Sequence, residues 1–285
     1  MKKIIAIQGA EGSNHHKVAI DFYGTEIQLA EFMSFDAVVD SLLENSADVG
    51  VMALENTIAG SIIPNYALID SSNLYIIDEQ YLNIHHHLMA LKNQTLEDIK
   101  EVWSHPMALL QCKEFFKKYP NIKLVEDVDT AAVAKRISNK NLKGIAAIAP
   151  KIAAELFDLE ILEDEIQTIK DNSTRFVIVQ TSRPVLNENV NKASLKFQLD
   201  HKRGSLAAIL NVLSDCKMNL TKIQSLPVIE TPWKYSFFVD ITFNDYNEYK
   251  KAASILEIMA EEFKVLGTYK NGRLKTNSES ISASK

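Results

Sequence analysis

Along the first 180 residues the chain alternates between two hydrophobic patterns. Short apolar runs at 4–7, 48–54, 74–77, 144–149 and 177–179 read as strands, several with the composition of strands buried on both faces, and Val125 to Val128 reads as another strand. Between them, 15–23, 35–43, 106–116, 131–137 and 151–156 carry helical spacing, with Ser104 suited to an N-cap and Pro106 to a first turn. Leu109, Leu110, Cys112, Phe115 and Phe116 mark the apolar side of the third of these helices. Strand, polar turn and helix repeated in this way predict an α/β fold with at least partly parallel sheets. Such a fold turns several helix N-termini toward one cleft.

Beyond residue 192 the pattern changes. Residues 194–200 alternate as a half-buried strand, and 205–217 form a helix with Leu206, Ile209, Leu210 and Leu213 on one face. Strands follow at 220–226 and 235–241, then a helical face of Tyr249, Ala252, Ala253, Leu256, Met259 and Phe263, then a strand at 265–269. This βαββαβ order is the ferredoxin-like arrangement. Residues 182–192, with Pro184 and three asparagines, read as a linker. The serine-rich segment 272–285 is expected to be disordered. The expected division is therefore 1–181, a linker at 182–192, a second domain at 193–271 and a tail.

Composition narrows the class. A chain of 285 residues suggests about two domains. Acidic residues outnumber basic ones, 37 to 31, for a net charge of -6, which argues against nucleic acid or an anionic membrane as the main partner. No stretch reaches the ~18 apolar residues of a membrane span. The N-terminal apolar run ends at once in Gln8-Gly9-Ala10-Glu11-Gly12, so it reads as a first strand and not a signal peptide. Cys112 and Cys216 fit no metal or redox spacing and are expected to be reduced, in a cytoplasmic protein.

Candidate chemistry gathers where strands end. Gly9, Gly12, Ser13 and Asn14 form a turn into a helix whose backbone N–H groups suit an anion, although the pattern is not that of a dinucleotide site. His15 and His16 read as solvated first-turn residues. The second strand ends in Glu55-Asn56-Thr57-Ile58-Ala59-Gly60-Ser61, which suits a ligand or a helix N-cap. Asn172-Ser173-Thr174-Arg175-Phe176 stands at the lip of a buried strand. A hydroxyl beside a guanidinium fork suits a carboxylate and a departing oxygen, and the same five residues also suit a turn with a surface arginine. The run His85-His86-His87 does not support a metal site, because strand neighbours point to opposite faces and no carboxylate or cysteine stands at ligand spacing.

With these stretches placed, the chain resembles the prephenate dehydratase family over nearly its whole length. Glu55-Asn56-Thr57…Gly60-Ser61, Ser104-His105-Pro106…Gln111-Cys112, Asp129-Thr130-Ala131-Ala132 and Asn172-Ser173-Thr174-Arg175-Phe176 are similar to its catalytic half. Gly204-Ser205-Leu206…Asn219-Leu220-Thr221…Trp233-Lys234-Tyr235-Ser236-Phe237-Phe238-Val239-Asp240 are similar to an ACT regulatory half. The resemblance implies a bilobed catalytic domain like a type II periplasmic binding protein, with the site between the lobes. It further implies no cofactor, a homodimer or homotetramer, and feedback inhibition by L-phenylalanine.

Carried onto this sequence, the implied catalytic residues are Thr174, Arg175 and Phe176. Thr174 would donate to the departing hydroxyl, Arg175 would clamp a carboxylate or stabilise nearby negative charge, and Phe176 would pack at the strand's start. The implied substrate contacts are Ser13, Asn56, Thr57, Gly60, Ser61, Ser104 and Gln111, with Glu55 as an acid or a supporting partner. The implied effector residues are Gly204, Ser205, Leu206, Asn219, Leu220, Gln224 and Ser225. Three departures stand out: Gly12-Ser13-Asn14-His15 replaces Gly-Thr-Phe-Ser, Asn56-Thr57 replaces Asn-Ser, and Gln224-Ser225-Leu226-Pro227 replaces Glu-Ser-Arg-Pro. The expected activity is decarboxylating dehydration of prephenate to phenylpyruvate. Arogenate dehydration and a non-catalytic amino-acid sensor are the alternatives.

Overall fold

A computed structural model describes residues 2–185, 187–200, 202–228, 231 and 234–273 of the protein. Trp233, which the sequence reading used, and the tail from 274 onward lie outside the described residues. The elements run β1 (Ile4–Gln8), α1 (Asn14–Tyr23), β2 (Gln28–Phe32), α2 (Phe35–Leu43), β3 (Val49–Asn56), β4 (Gly60–Ser61), α3 (Ile63–Ser71) and β5 (Tyr75–Asn83). There follow β6 (His87–Ala90), β7 (Glu101–Ser104), α4 (Pro106–Gln111), α5 (Lys113–Phe116), β8 (Lys123–Glu126), α6 (Thr130–Lys140), β9 (Ile145–Ala149), α7 (Lys151–Leu156), β10 (Glu160–Glu163) and β11 (Ser173–Gln180). The last part holds β12 (Lys192–Gln198), α8 (Ser205–Asp215), β13 (Asn219–Pro227), β14 (Tyr235–Thr242), α9 (Tyr246–Met259) and β15 (Glu262–Tyr269). Among the described residues no helix is long and apolar enough to cross a membrane.

By its contacts the chain forms two compact units, Met1–Ile62 with Leu82–Phe176, and Ile63–Tyr81 with Val177–Lys285. The strands form three sheets, ordered β2-β1-β3-β11-β5, β10-β6-β9-β7-β8 and β13-β14-β12-β15, with β4 hairpinned onto β3. In the first unit β1 lies parallel to β2 and β3, and β7 lies parallel to β8 and β9, while β6 runs antiparallel to both of its neighbours, β9 and β10. Side chains seal the helix starts that face this unit's cavity. Ser13 Oγ accepts from His16 N at 3.3 Å, and Asp129 Oδ1 from Ala132 N at 2.7 Å. A side chain at Gly9 would collide with this capping carboxylate, since a Cβ there would lie 2.7 Å from Asp129 Oδ2 and φ is +94°.

In the second unit the four-stranded sheet has every neighbouring pair antiparallel, and its order 2-3-1-4 within βαββαβ is the ferredoxin-like topology. Helices α8 and α9 cover one face, through Ile209, Leu213, Tyr249, Ala252 and Leu256 against Ala193, Leu195, Phe197, Val239 and Ile241. The other face corrects the expectation of a half-buried β12, for all seven of its residues are buried. Residues 63–81 lie on its polar side. Lys192 Nζ meets Glu79 at 2.8 and 2.9 Å and Tyr81 Oη at 3.1 Å, and Lys196 Nζ meets Asp70 Oδ2 at 2.8 Å. Lys264 Nζ reaches Asp70 Oδ1 at 2.9 Å and Asn73 Oδ1 at 2.8 Å. A Cβ on Gly267 would come within 2.1 Å of Ile76 O, so this approach requires glycine.

Other expectations are also corrected. Ser104 ends β7 and donates to Ile148 O at 2.7 Å, so its hydroxyl is spent inside the sheet and the α4 cap passes to His105, whose Nδ1 accepts from Met107 N at 3.2 Å. The single helix expected over 106–116 breaks at Cys112, and Leu110 faces solvent. Phe263 belongs to β15, and Met259 is exposed. No apolar period announces β2, α3 or β10. The first carries an uneven burial pattern, the second opens on Ile63-Pro64, and the third is two apolar residues between glutamates.

Candidate active site

Inside the first unit a cavity of about 280 Å³ draws its walls from both of that unit's sheets and their helices. β11 supplies Thr174 and Phe176, with Asn172 just before the strand, and β3 supplies Asn56 at its carboxyl end. Ser13, Asn14 and His15 come from the start of α1, Asp129 and Thr130 from the start of α6, and His105 and Gln111 from the two ends of α4. His86 lies between β5 and β6. Among the described lining residues there is no lysine or arginine. The lining offers an anion amides, hydroxyls, imidazoles and the N-termini of α1, α4 and α6, beside the carboxylate of Asp129.

Five of the residues expected from sequence therefore share one cavity: Ser13, Asn56, Gln111, Thr174 and Phe176. Five others do not line it. Arg175 is only 1 % exposed, which excludes the surface-arginine reading, but side chains alternate along β11 and it points away from the face that carries Thr174 and Phe176. Arg175 is therefore not among the side chains that line the cavity. Thr57 is used structurally: its N–H donates to Ser173 O at 2.9 Å and its Oγ1 accepts from Ser173 N at 2.9 Å, tying the hairpin to β11. Gly60 and Ser61 form β4, and Glu55 pairs with Ser61 across the hairpin, so 55–61 is a β-hairpin and not a helix cap. Ser104 is the buried residue already described.

The polarity of the site is set by backbone. Asn56 Oδ1 accepts from Ile58 N at 2.9 Å and Ala59 N at 2.8 Å, and since peptide N–H groups only donate, the amide cannot be turned round. Its Nδ2 must then face Asn172 Oδ1 at 2.6 Å and Thr174 Oγ1 at 2.9 Å. Thr174 thus receives a hydrogen bond from Asn56, and its own O–H remains available as a donor. That is the orientation a departing oxygen needs.

The histidines depart from expectation. His15 is not solvated. Its ring packs edge-on to Phe176 at 4.9 Å and tilted against Phe35 at 5.6 Å, with Nε2 buried and without a partner among the described residues. Burial lowers its pKa to about 4, so it is neutral near pH 7. His15 as a whole is half-buried, whereas His16 is buried and its Nδ1 accepts from Gly12 N at 3.0 Å. Because His15 protonates more readily unfolded than folded, the stability it permits is complete above pH 6.5 and is lost as pH falls toward 4. His15→Phe should flatten that limb by on the order of 2–3 kcal/mol in chemical denaturation compared at pH 7 and pH 4.5. Parallel pH slopes for the two proteins would show that His15 carries no such load.

Burial also raises the pKa of Asp129 against the pull of backbone N–H groups from Ala132, Ala131 and Ala10, so its carboxylate is occupied by the chain itself. Among the described residues no group of three His, Cys, Asp or Glu side chains is placed to hold a metal ion. Asn172, His86, His105 and Asp129 are cavity residues the sequence reading did not assign. Asn172, His105 and Asp129 stand inside motifs it quoted, whereas His86 gave no signal beyond the run of three histidines.

In the second unit a cavity of about 420 Å³ is lined by Ser205 and Leu206, by the charged groups Asp200, Lys202, Lys234 and Glu261, and by apolar Leu199 and Phe237. Gly204, with φ +85°, forms the N-cap position of α8 beside it. Asn219, Leu220, Gln224 and Ser225 lie on β13 and do not line it.

A family model described as prephenate dehydratase matches residues 5–184. A bifunctional chorismate mutase/prephenate dehydratase of Buchnera aphidicola subsp. Acyrthosiphon pisum is 30% identical over 271 residues, covering 93% of this chain and 70% of that protein. A chloroplastic arogenate dehydratase/prephenate dehydratase 2 of Arabidopsis thaliana is 33% identical, covering 93% and 72%. In fold, the chain is similar to a prephenate dehydratase from Arthrobacter aurescens solved in complex with L-Phe, with a TM-score of 0.82 at 23% identity, covering 95% and 90% of the two chains.

Proposed function

The chain belongs to the prephenate dehydratase family, and on that premise we propose that its cavity converts prephenate to phenylpyruvate, carbon dioxide and water. The observation that carries this reading is the fixed hydrogen bond from Asn56 to Thr174, which leaves the threonine O–H as a donor. As the ring carbon–carboxylate bond breaks, its electron pair enters the ring and expels the hydroxyl. Carbon dioxide leaves neutral, and the hydroxyl leaves as water with a proton supplied through Thr174 and replaced from solvent. A cavity with no lysine or arginine among its described lining residues fits this chemistry, because a ring carboxylate held by amide and hydroxyl donors breaks no ion pair when it departs. The driving force is aromatisation, so the reading needs no cofactor.

Incubation of purified protein with prephenate, and separately with arogenate, tests the reading through the absorbance of the aromatic product. Phenylpyruvate from prephenate is the expected result. Phenylalanine from arogenate alone would move the assignment to arogenate dehydration, and no product from either would leave an amino-acid sensor.

The same reading makes residues 1–181 the catalytic part, 182–192 a linker and 193–271 an ACT regulatory domain of a cytoplasmic homodimer or homotetramer. The cavity beside α8 supports L-phenylalanine as its effector. Asp200 and Glu261 suit the ammonium, Lys202 and Lys234 the carboxylate, and Leu199, Leu206 and Phe237 the ring. Calorimetry should record L-phenylalanine binding, and Leu206→Asp should abolish it. The absence of heat at millimolar concentrations would assign this half another ligand.

A further inference from the structure

The polarity that begins at Asn56 does not stop at Thr174. Asn172 Oδ1 is taken by Asn56, so Asn172 Nδ2 donates onward to Gln111 Oε1 at 3.1 Å. An amide oxygen only accepts, so the next contact, His86 Nε2 to Gln111 Oε1 at 2.7 Å, places a proton on His86 Nε2. The other side of the imidazole gives the same answer independently. His86 Nδ1 is buried without a partner among the described residues, so a proton there would be a donor with nothing to meet. The backbone clamps the ring in place. His86 N donates to Gln167 Oε1 at 2.9 Å, and His86 O accepts from Ile166 N at 2.8 Å.

We propose that His86 is a positioning residue, held as the neutral Nε2–H tautomer, which fixes the Gln111 amide so that its NH2 group faces the substrate. With both donors on Gln111 Oε1, the amino group is what this side chain offers to a carboxylate or keto oxygen in the cavity. Burial holds the His86 pKa below its ordinary value, and the titratable neighbours that act on it are His87 and His85. Both are themselves engaged, His85 with Glu165 at 3.2 Å and His87 with Asp164. The role assigned to Gln111 rests on the prephenate reading, whereas the tautomer does not.

Two measurements on the full chain test this. Side-chain ¹⁵N NMR of the wild-type protein at pH 7 should show His86 as the Nε2–H tautomer, and an Nδ1–H tautomer or an imidazolium would overturn the proposal. In kinetics with prephenate, His86→Leu should lower kcat/KM by roughly tenfold, the scale of one neutral hydrogen bond. His86→Gln, whose amide N–H can replace Nε2–H, should restore most of it. In a Gln111→Ala background, His86→Leu should have no further effect, because the residue to be positioned is gone. Full additivity, or a glutamine variant as impaired as the leucine variant, would refute the positioning role. Should the leucine variant fail to fold, the wild-type spectrum and the glutamine variant still decide. A wild-type protein inert toward both prephenate and arogenate would end the functional reading, while the tautomer would be judged by the spectrum alone.

Discussion

Thr174→Ala is expected to lower kcat for prephenate by about 100-fold or more, the usual cost of removing one donor from a charge that develops in the transition state. The reason is specific to the geometry around β11. Asn56 donates to the hydroxyl oxygen at 2.9 Å, so the Thr174 O–H is not spent on Asn56 and can be directed to a substrate oxygen. The alanine variant should keep its fold, because Asn56 retains Asn172 at 2.6 Å and its own backbone donors. Thr174→Ser should remain active and Thr174→Val should not, which separates the hydroxyl from the bulk of the side chain. Steady-state rates with circular dichroism as a control would decide. An alanine variant within threefold of wild type would remove Thr174 from the chemistry.

Lys192→Met should destabilise the protein by about 3–5 kcal/mol, the range for breaking a buried ion pair from one side. Lys192 and Glu79 are both essentially excluded from solvent, and the substitution takes away the ammonium that meets the carboxylate at 2.8 and 2.9 Å. The double variant Lys192→Met/Glu79→Leu should recover most of the loss, because two apolar side chains in the same space carry no uncompensated charge. Denaturant unfolding measures both. A single variant within 1 kcal/mol of wild type would mean that the charge of Glu79 is compensated without Lys192.

Much of the fold is legible in the chain because it depends on local periods. The runs at 48–54 and 177–179 read as buried strands, and βαββαβ follows from alternation and helical spacing after residue 192. What is not legible is direction. Thr174 and Arg175 are neighbours in the motif, and only the pleat of β11 shows that one faces the cavity and the other the far side. Ser194, Lys196 and Gln198 read as a solvent face and Lys192 as the end of a linker, because nothing in the local sequence reveals that residues 63–81 will cover them. Likewise His15 reads as a surface residue until Phe35 and Phe176 close around it. These are long-range facts, and composition carries no trace of them.

Residues 63–81 leave the cavity wall at Ile62 and return to it at Ile84, and in between they supply the counter-charges of the four-stranded sheet. The boundary suggested by the linker is therefore not a place where the chain can be exchanged. A graft that replaces 193–271 with the same topology from another protein inherits Glu79 and Asp70 as ready-made anions. It must bring cations to the positions of Lys196 and Lys264, keep Lys192 ahead of the junction, and place a glycine against Ile76. Transplantable modules in this chain are defined by charge register across β12 and β15, and a swap designed on sequence boundaries alone would bring mismatched charges into a dry interior.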